Sequence, residues 1–227
     1  MKITWLGQAG LLFDDGKTII MIDPYLSDSV EKVNPSNYRR VPAKKELLQI
    51  QPDVMIFTHD HLDHYDPETA PVFLAEGRKP MTVLCPLSVW QKARTNGKNH
   101  NYVLFDRNTQ WTEGSYRFRA VTAIHSDIYA IGVVIEDLAG GRSYYVAGDT
   151  LYSDEIIVQL PGKIDLAFLP VNGVGNNMNA VDALRLFRAC GAKKAVPYHM
   201  GMFDELTADV LETEEKLVLE IYQEQEV

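Results

Sequence analysis

Val54-Met55-Ile56-Phe57-Thr58-His59-Asp60-His61-Leu62-Asp63-His64 is the stretch on which the fold turns. Its four leading apolar residues, set just behind Pro52-Asp53, have the character of a short strand buried on both faces. Positions 59–64 then carry three imidazoles and two carboxylates. Imidazole and carboxylate together suit borderline divalent metals such as zinc, manganese and iron. A strand end also holds ligands more rigidly than a free loop does. One histidine in a polar loop is commonplace; three at this spacing are not. If the chain bends into a helical turn here, alternate residues diverge towards two neighbouring ions.

Upstream, residues 3–6, 11–13 and 18–22 are short apolar runs, and Asp14-Asp15-Gly16 between the last two is a hairpin signal. Residues 27–45 lose periodicity and are rich in Ser, Asn, Pro, Lys and Arg, which predicts a long loop of the kind that is functional or mobile. A short helix over 44–50 is closed by Pro52. Downstream, a helix-like segment at 67–75 precedes a strand at 82–85, and strands follow at 115–124, 131–136 and 142–147, with a turn at Gly140-Gly141. Strands at 166–169 and 195–197 enclose a helix over 180–189, with Asn179 as N-cap and Gly191 beyond its end. An acidic amphipathic helix is predicted over 208–223. Strands and helices in the same order twice predict two similar halves packed into one domain spanning 1–227.

The other histidines fit the same pattern. Of the six, His125 and His199 fall at the ends of predicted strands, as does Asp149 after Tyr145-Val146-Ala147-Gly148. His100, in the polar run 96–101, is expected at the surface. Cys85 and Cys190 lie far apart in hydrophobic segments without a CxxC partner, which predicts buried free thiols rather than a thiolate metal site. A net charge of −9 argues against nonspecific nucleic-acid binding. No apolar run approaches the roughly 20 residues of a membrane-spanning helix. With no secretory pattern at Met1-Lys2-Ile3-Thr4-Trp5, a cytoplasmic protein is expected, with no nucleic-acid or membrane partner.

The HxHxDH motif at 59–64, with His125, a Gly-Asp at 148–149 and His199 in order, resembles the metallo-β-lactamase superfamily. The resemblance implies an α+β fold, a four-layered αβ/βα sandwich, with a dinuclear centre of zinc or manganese, iron being an alternative. It implies that His59, His61 and His125 hold one ion, that Asp63, His64 and His199 hold the other, and that Asp149 bridges them. Asp23, in Ile22-Asp23-Pro24, matches an acidic position that orients metal-site groups; as a plain turn residue before a proline it is equally well explained. Within the superfamily, Trp5-Leu6-Gly7-Gln8-Ala9-Gly10, Ala147-Gly148-Asp149-Thr150 and Val196-Pro197-Tyr198-His199 are similar to the ascorbate-6-phosphate lactonase-like group.

Such a centre implies hydrolysis by a metal-held hydroxide of a small lactone or ester, with or without a phosphoryl group. Asp149 and Asp63 are the candidate catalytic residues, with Asp63 or a metal-bound water managing the proton. Arg39 and Arg40 in the 27–45 loop are candidate contacts for an anionic group, against the alternative of solvated charge. Asn176 and Asn177, in the glycine-rich approach to the 180–189 helix, are candidates for a phosphate or hydroxyl contact, and Tyr152 for a substrate contact. A phosphodiesterase acting on a small cyclic or linear diester is the alternative, since the same centre serves in-line displacement. A di-iron redox protein is a third class; those proteins place a glutamate where this chain has His61. Homo-oligomers are compatible with all three.

Overall fold

The structure, a computed structural model, describes residues 1–227. Two compact units emerge, one formed by 1–104, 201–205 and 219–227, the other by 105–200 and 206–218.

In the first unit, β1 (Lys2–Gly7) and β2 (Gly10–Asp14) pair antiparallel, and β2 pairs antiparallel with β3 (Ile19–Ile22). The β2–β3 hairpin forms where Asp14-Asp15-Gly16 predicts it: Asp14 accepts from the Gly16 amide and Asp15 from those of Lys17 and Thr18. Then the chain switches to parallel pairing. Strands β4 (Val54–Ile56), β5 (Thr82–Cys85) and β6 (Asn101–Leu104) follow β3 in order, all running the same way. The burial of every residue of β4 and β5 explains their largely apolar runs. Parallel neighbours end at the same edge, so the segments after β3 and β4 meet.

Three short helices lie between these strands. The 27–45 segment is not wholly irregular: Ser29–Val33 forms α1, with Val30 buried and the Asn34 amide closing onto the Val30 carbonyl at 2.8 Å. The helix expected over 67–75 shrinks to α2 (Ala70–Phe73), and α3 (Leu87–Ala93), buried through Val89 and Ala93, was not foreseen. A 3-10 helix over Lys45–Gln49 matches the short helix expected there.

The second unit repeats the plan. Strands β7 (Gln110–Glu113), β8 (Tyr116–Thr122), β9 (Ile131–Asp137) and β10 (Arg142–Val146) form an antiparallel meander, and β11 (Leu166–Pro170) and β12 (Lys194–Tyr198) extend it in parallel. Between them run α4 (Asp154–Gln159) and α5 (Ala180–Cys190). Helix α5 has the expected ends: the Asn179 side chain accepts from the Asp182 amide, and Gly191 turns left-handed at φ 66°.

The helix expected over 208–223 does not form. Only Ala208–Val210 makes a 3-10 turn. The Leu217 amide instead donates to Ala195 beside β12, and the Tyr222 amide donates to Trp5 beside β1. Exposed sheet edges offer backbone partners that an isolated acidic helix cannot match. The chain then closes with β13 (Glu224–Glu226) on β1.

His100 is not at the surface. It is 7% exposed, edge-on to Tyr102, and its ring nitrogens face the backbone of Leu74 and Ala75 without a well-aligned hydrogen bond. Both cysteines are free as expected, Cys85 buried but Cys190 only half-buried.

Candidate metal centre

The first unit brings four candidate ligands onto one turn. After β4, the amides of His64 and Tyr65 both donate to the His61 carbonyl, at 3.1 and 2.9 Å, so residues 61–65 coil once. The coil gathers the imidazoles: the His59 ring centroid lies 4.5 Å from that of His61 and 4.0 Å from that of His64. His59 and His64 are fully buried, His61 and Asp63 half-buried.

What fixes these rings is the end of β3. Asp23, 1% exposed, accepts the Thr58 amide at 2.8 Å through Oδ1 and pairs with His64 Nδ1 at 2.8 Å through Oδ2. The Thr58 hydroxyl also donates to Asp23, so its oxygen is an acceptor for His59 Nδ1 at 3.0 Å. That network assigns the Nδ1 protons of His59 and His64, so each imidazole carries its lone pair on Nε2. Asp63 Oδ2 accepts from the Gln8 carboxamide at 2.8 Å and stands 3.9 Å from His64 Nε2. Gln8 is itself held by Trp5, whose indole N–H donates to the Gln8 carbonyl.

The second unit gathers three candidates from three separate strand ends. β8 and β10 both run antiparallel to β9, while β12 and β11 run parallel to β10, so β8, β10 and β12 all finish at one edge. His125, Asp149 and His199 follow those ends in turn. The Ile124 amide donates to the Thr150 hydroxyl and the Leu151 amide to the Ile124 carbonyl, tying two of these turns together. Asp149 Oδ1 lies 3.1 Å from His199 Nε2, and Oδ2 lies 4.0 Å from His125 Nε2. The carbonyl of Asn176 stands 3.4 Å from His125 Nδ1. Asn177, 5% exposed, donates its amide to Asp149 Oδ2 at 2.9 Å.

In three of the histidines, then, Nδ1 faces an oxygen of the protein, which puts the imidazole lone pair on Nε2. This is the usual setting of a metal-bound imidazole, whose second nitrogen donates to a carboxylate, carbonyl or other oxygen. Backbone strain gathers here too. Gln8, Asp23, Asn176 and His199 have φ of 49°, 43°, 64° and 56°, four of the six non-glycine residues in left-handed conformations. Such conformations cost free energy and concentrate at functional sites. His59, His61, Asp63 and His64 in one unit, and His125, Asp149 and His199 in the other, are the residues able to hold divalent ions.

The residues expected to contact substrate have partners within the protein. Arg39 donates to the carbonyls of Tyr25 and Val41 and to the Tyr222 hydroxyl, and its guanidinium covers the Tyr25 ring. Arg40 stacks on Tyr38 and faces Glu205 at 4.0 Å. Both arginines bind the loop to its surroundings instead of reaching for an anion. Tyr152 donates to Asp154 and lies under Arg185 at 3.8 Å, packed with α5. Asn176 and Asn177 hold candidate ligands instead of a substrate. At the start of α5, Asn179 already caps the amides and Asp182 occupies the first turn, which disfavours a further anion. The residues that sequence reasoning passed over are Thr58 and Gln8. The signal for Gln8 was a lone polar side chain in the short connection between two apolar strands, β1 and β2.

Residues 18–200 match the model of the beta-lactamase superfamily domain. A UPF0173 metal-dependent hydrolase of Thermus thermophilus is 30% identical over 223 residues, covering 92% of this chain and 88% of that protein. Among solved structures, Igni18, a metallo hydrolase from Ignicoccus hospitalis, superimposes with a TM-score of 0.72 at 18% identity, covering 100% of this chain and 98% of its own. CmlA, a diiron beta-hydroxylase from Streptomyces venezuelae, reaches 0.76 at 17% identity, covering 99% of this chain but 53% of its own. The α+β sandwich expected from the motif is thereby established: the chain has the metallo-β-lactamase fold and belongs to the beta-lactamase superfamily, among the UPF0173 metal-dependent hydrolases.

Proposed function

We propose that the protein is a cytoplasmic metal-dependent hydrolase that opens a small lactone or cleaves a small ester. The observation that carries the proposal is the orientation of its imidazoles, with Nδ1 engaged by Asp23, Thr58 and the Asn176 carbonyl. We take residues 1–227 as a single domain. His59, His61 and His125 would hold one divalent ion, Asp63, His64 and His199 would hold a second, and Asp149 would contribute its carboxylate to both. Zinc and manganese suit this donor set, and iron is compatible with it. Bound there, the pair would polarise a carbonyl oxygen and bring the pKa of water down to about 7, so that a nucleophile exists at neutral pH.

The chain's own groups do the rest. Asp23 and Thr58 hold the first unit's imidazoles in register, Asn177 orients Asp149, and Gln8 orients Asp63. Asp63 is half-buried, and its Oδ1 is the proton acceptor we assign to the reaction. Similarity to the ascorbate-6-phosphate lactonase-like group supports the lactone arm. Phosphodiester cleavage is the second reading, because the same donor set serves in-line displacement.

Elemental analysis of protein reconstituted with zinc or manganese is expected to give two ions per chain; none would overturn the proposal. Asp149→Ala is expected to abolish hydrolysis while far-UV circular dichroism stays unchanged. Near-normal turnover in that variant would reject the bridging role. A screen against lactones, esters and cyclic or linear phosphodiesters separates the two substrate classes, and activity on diesters alone would overturn the first choice.

A further inference from the structure

Helix α1, inside the loop that the sequence marked as cationic, forms the wall of a cavity beside the HxHxDH turn. This cavity measures ≈ 370 Å³ and is lined by Val30, Val33, Asn34, Asp60, His61, Leu62 and Asp63. That volume falls at the lower end of small-ligand pockets, typically about 300–1,000 Å³. Two of its lining residues, His61 and Asp63, are candidate metal ligands, so whatever fills it lies next to the reacting group.

The wall is built in place. Ser27 donates to Asp66 and accepts the Ser29 amide, while the Leu26 amide donates to the Thr69 hydroxyl, which in turn donates to Asp66. Lys32 pairs with Glu68 on the outside. These contacts fasten α1 to the segment that follows His64, so α1 and the ligand turn form one framework. From that framework α1 presents Val30 and Val33 towards Leu62. Val33 is 73% exposed and gains nothing from the core.

The chemistry of the lining selects against charge. It contains three aliphatic side chains, one neutral amide, two carboxylates and the His61 imidazole, and no lysine or arginine. The adjacent cation, Lys92, is already paired with Asp60 at 2.6 Å. A phosphate placed here would lose hydration against three aliphatic side chains and meet no lysine or arginine of the lining in return. An alkyl group would cover the valines and Leu62 and gain from leaving water.

Resting on the hydrolase function proposed above, we infer that the cavity beside α1 receives a neutral, apolar side group of the substrate, and that Val30 and Val33 determine specificity for it. The substrate class is therefore an alkyl-substituted lactone or ester without a phosphoryl group on that side.

Two measurements test this on the full-length, metal-reconstituted protein. The first is binding of 2-alkylcyclopentanones, which offer a carbonyl but no hydrolysable bond, followed through the methyl resonances of Val30 and Val33. Affinity is expected to rise about fourfold per added methylene from methyl to butyl. The second is kcat/KM for γ-lactones bearing the same alkyl series, beside lactones whose side chain ends in a phosphate. The alkyl series should climb in step with binding, and the phosphorylated compounds should fall below the methyl compound. Val33→Asp, at an exposed position, should flatten both series while circular dichroism and metal content are retained.

A flat binding series, or tighter binding of phosphorylated side chains, would overturn the inference whatever the enzyme hydrolyses. A steep binding series that Val33→Asp flattens, with turnover of phosphodiesters only, would support the apolar wall and overturn the lactone function instead.

Discussion

The two sets of candidate ligands reach similar chemistry by opposite routes. In the first unit four candidate ligands occupy six consecutive positions, and their geometry comes from a hydrogen-bonded turn clamped by Asp23. In the second, three candidates sit on three strand ends, and their geometry comes from the sheet itself. A turn needs side-chain support to keep its shape, because its backbone has few fixed partners. Parallel strand ends are already held by the ladder, so a single carboxamide, Asn177, suffices to aim Asp149. The first set should therefore depend on its supporting residues far more than the second does.

Asp23→Ala is the largest expected break in that comparison. It removes the acceptor of the Thr58 amide and of His64 Nδ1 at a site 1% exposed. Leaving buried donors unmatched at an ionic contact should cost about 3 kcal/mol of stability in the metal-free protein. Metal affinity should drop about 10–100-fold, the usual effect of removing an outer partner of a ligating histidine. Urea denaturation and competition with a chelator measure the two quantities. A loss below about 0.5 kcal/mol would show that the turn holds itself and that the contrast between the units is false.

A matched pair sharpens the comparison at smaller magnitude. Gln8→Leu and Asn177→Leu each delete one carboxamide that donates to a candidate carboxylate ligand, at 2.8 and 2.9 Å respectively. Each should lower metal affinity by about tenfold. Gln8 supports the turn and Asn177 the strand end, so the Gln8 variant should also lose more stability, by about 1 kcal/mol. Equal stability losses in the two variants would mean that the strand end needs its clamp as much as the turn does.

The same contrast explains what could be read in the sequence. Ligands packed into 59–64 announce themselves by spacing, and the strand before them by its apolar run. The dispersed set was legible only because each member follows a strand and the order resembles a known superfamily. The supporting layer was half legible: Asp23 stood out beside a proline, but the Gln8–Asp63 contact spans 55 positions and leaves no periodic trace. For Arg39 and Arg40 the sequence shows a charge and not its neighbours, which are Tyr25, Tyr38 and nearby carbonyls. Residues 208–223 went wrong for a related reason. Their amphipathic pattern favours a helix locally, and the open edges of β1 and β12 override it with backbone hydrogen bonds.

The smallest expected effect concerns a histidine outside both sets of candidate ligands. Burial holds the His100 imidazole below its usual pKa of 6.5, and the nearby Arg78 guanidinium acts in the same direction, partly opposed by the backbone of Ala75 and Leu74. The unfolded chain therefore binds the proton more readily than the folded one. Stability attributable to His100 is complete above pH 6.5 and drains away as pH falls from 6.5 towards the lower folded-state pKa. His100→Phe keeps a ring against Tyr102 and removes the titration. Acid also protonates the candidate ligands, so the informative quantity is the difference between the metal-free variant and the parent chain. That difference should be near zero at pH 8 and should favour His100→Phe increasingly below pH 6.5. Hydrogen exchange should place the gain in β5, α3 and β6 of the first unit, with the strands of the second unit unmoved. A gain spread evenly over both units would show that they unfold together under acid, and that their different construction at the metal-binding edge does not extend to their cores.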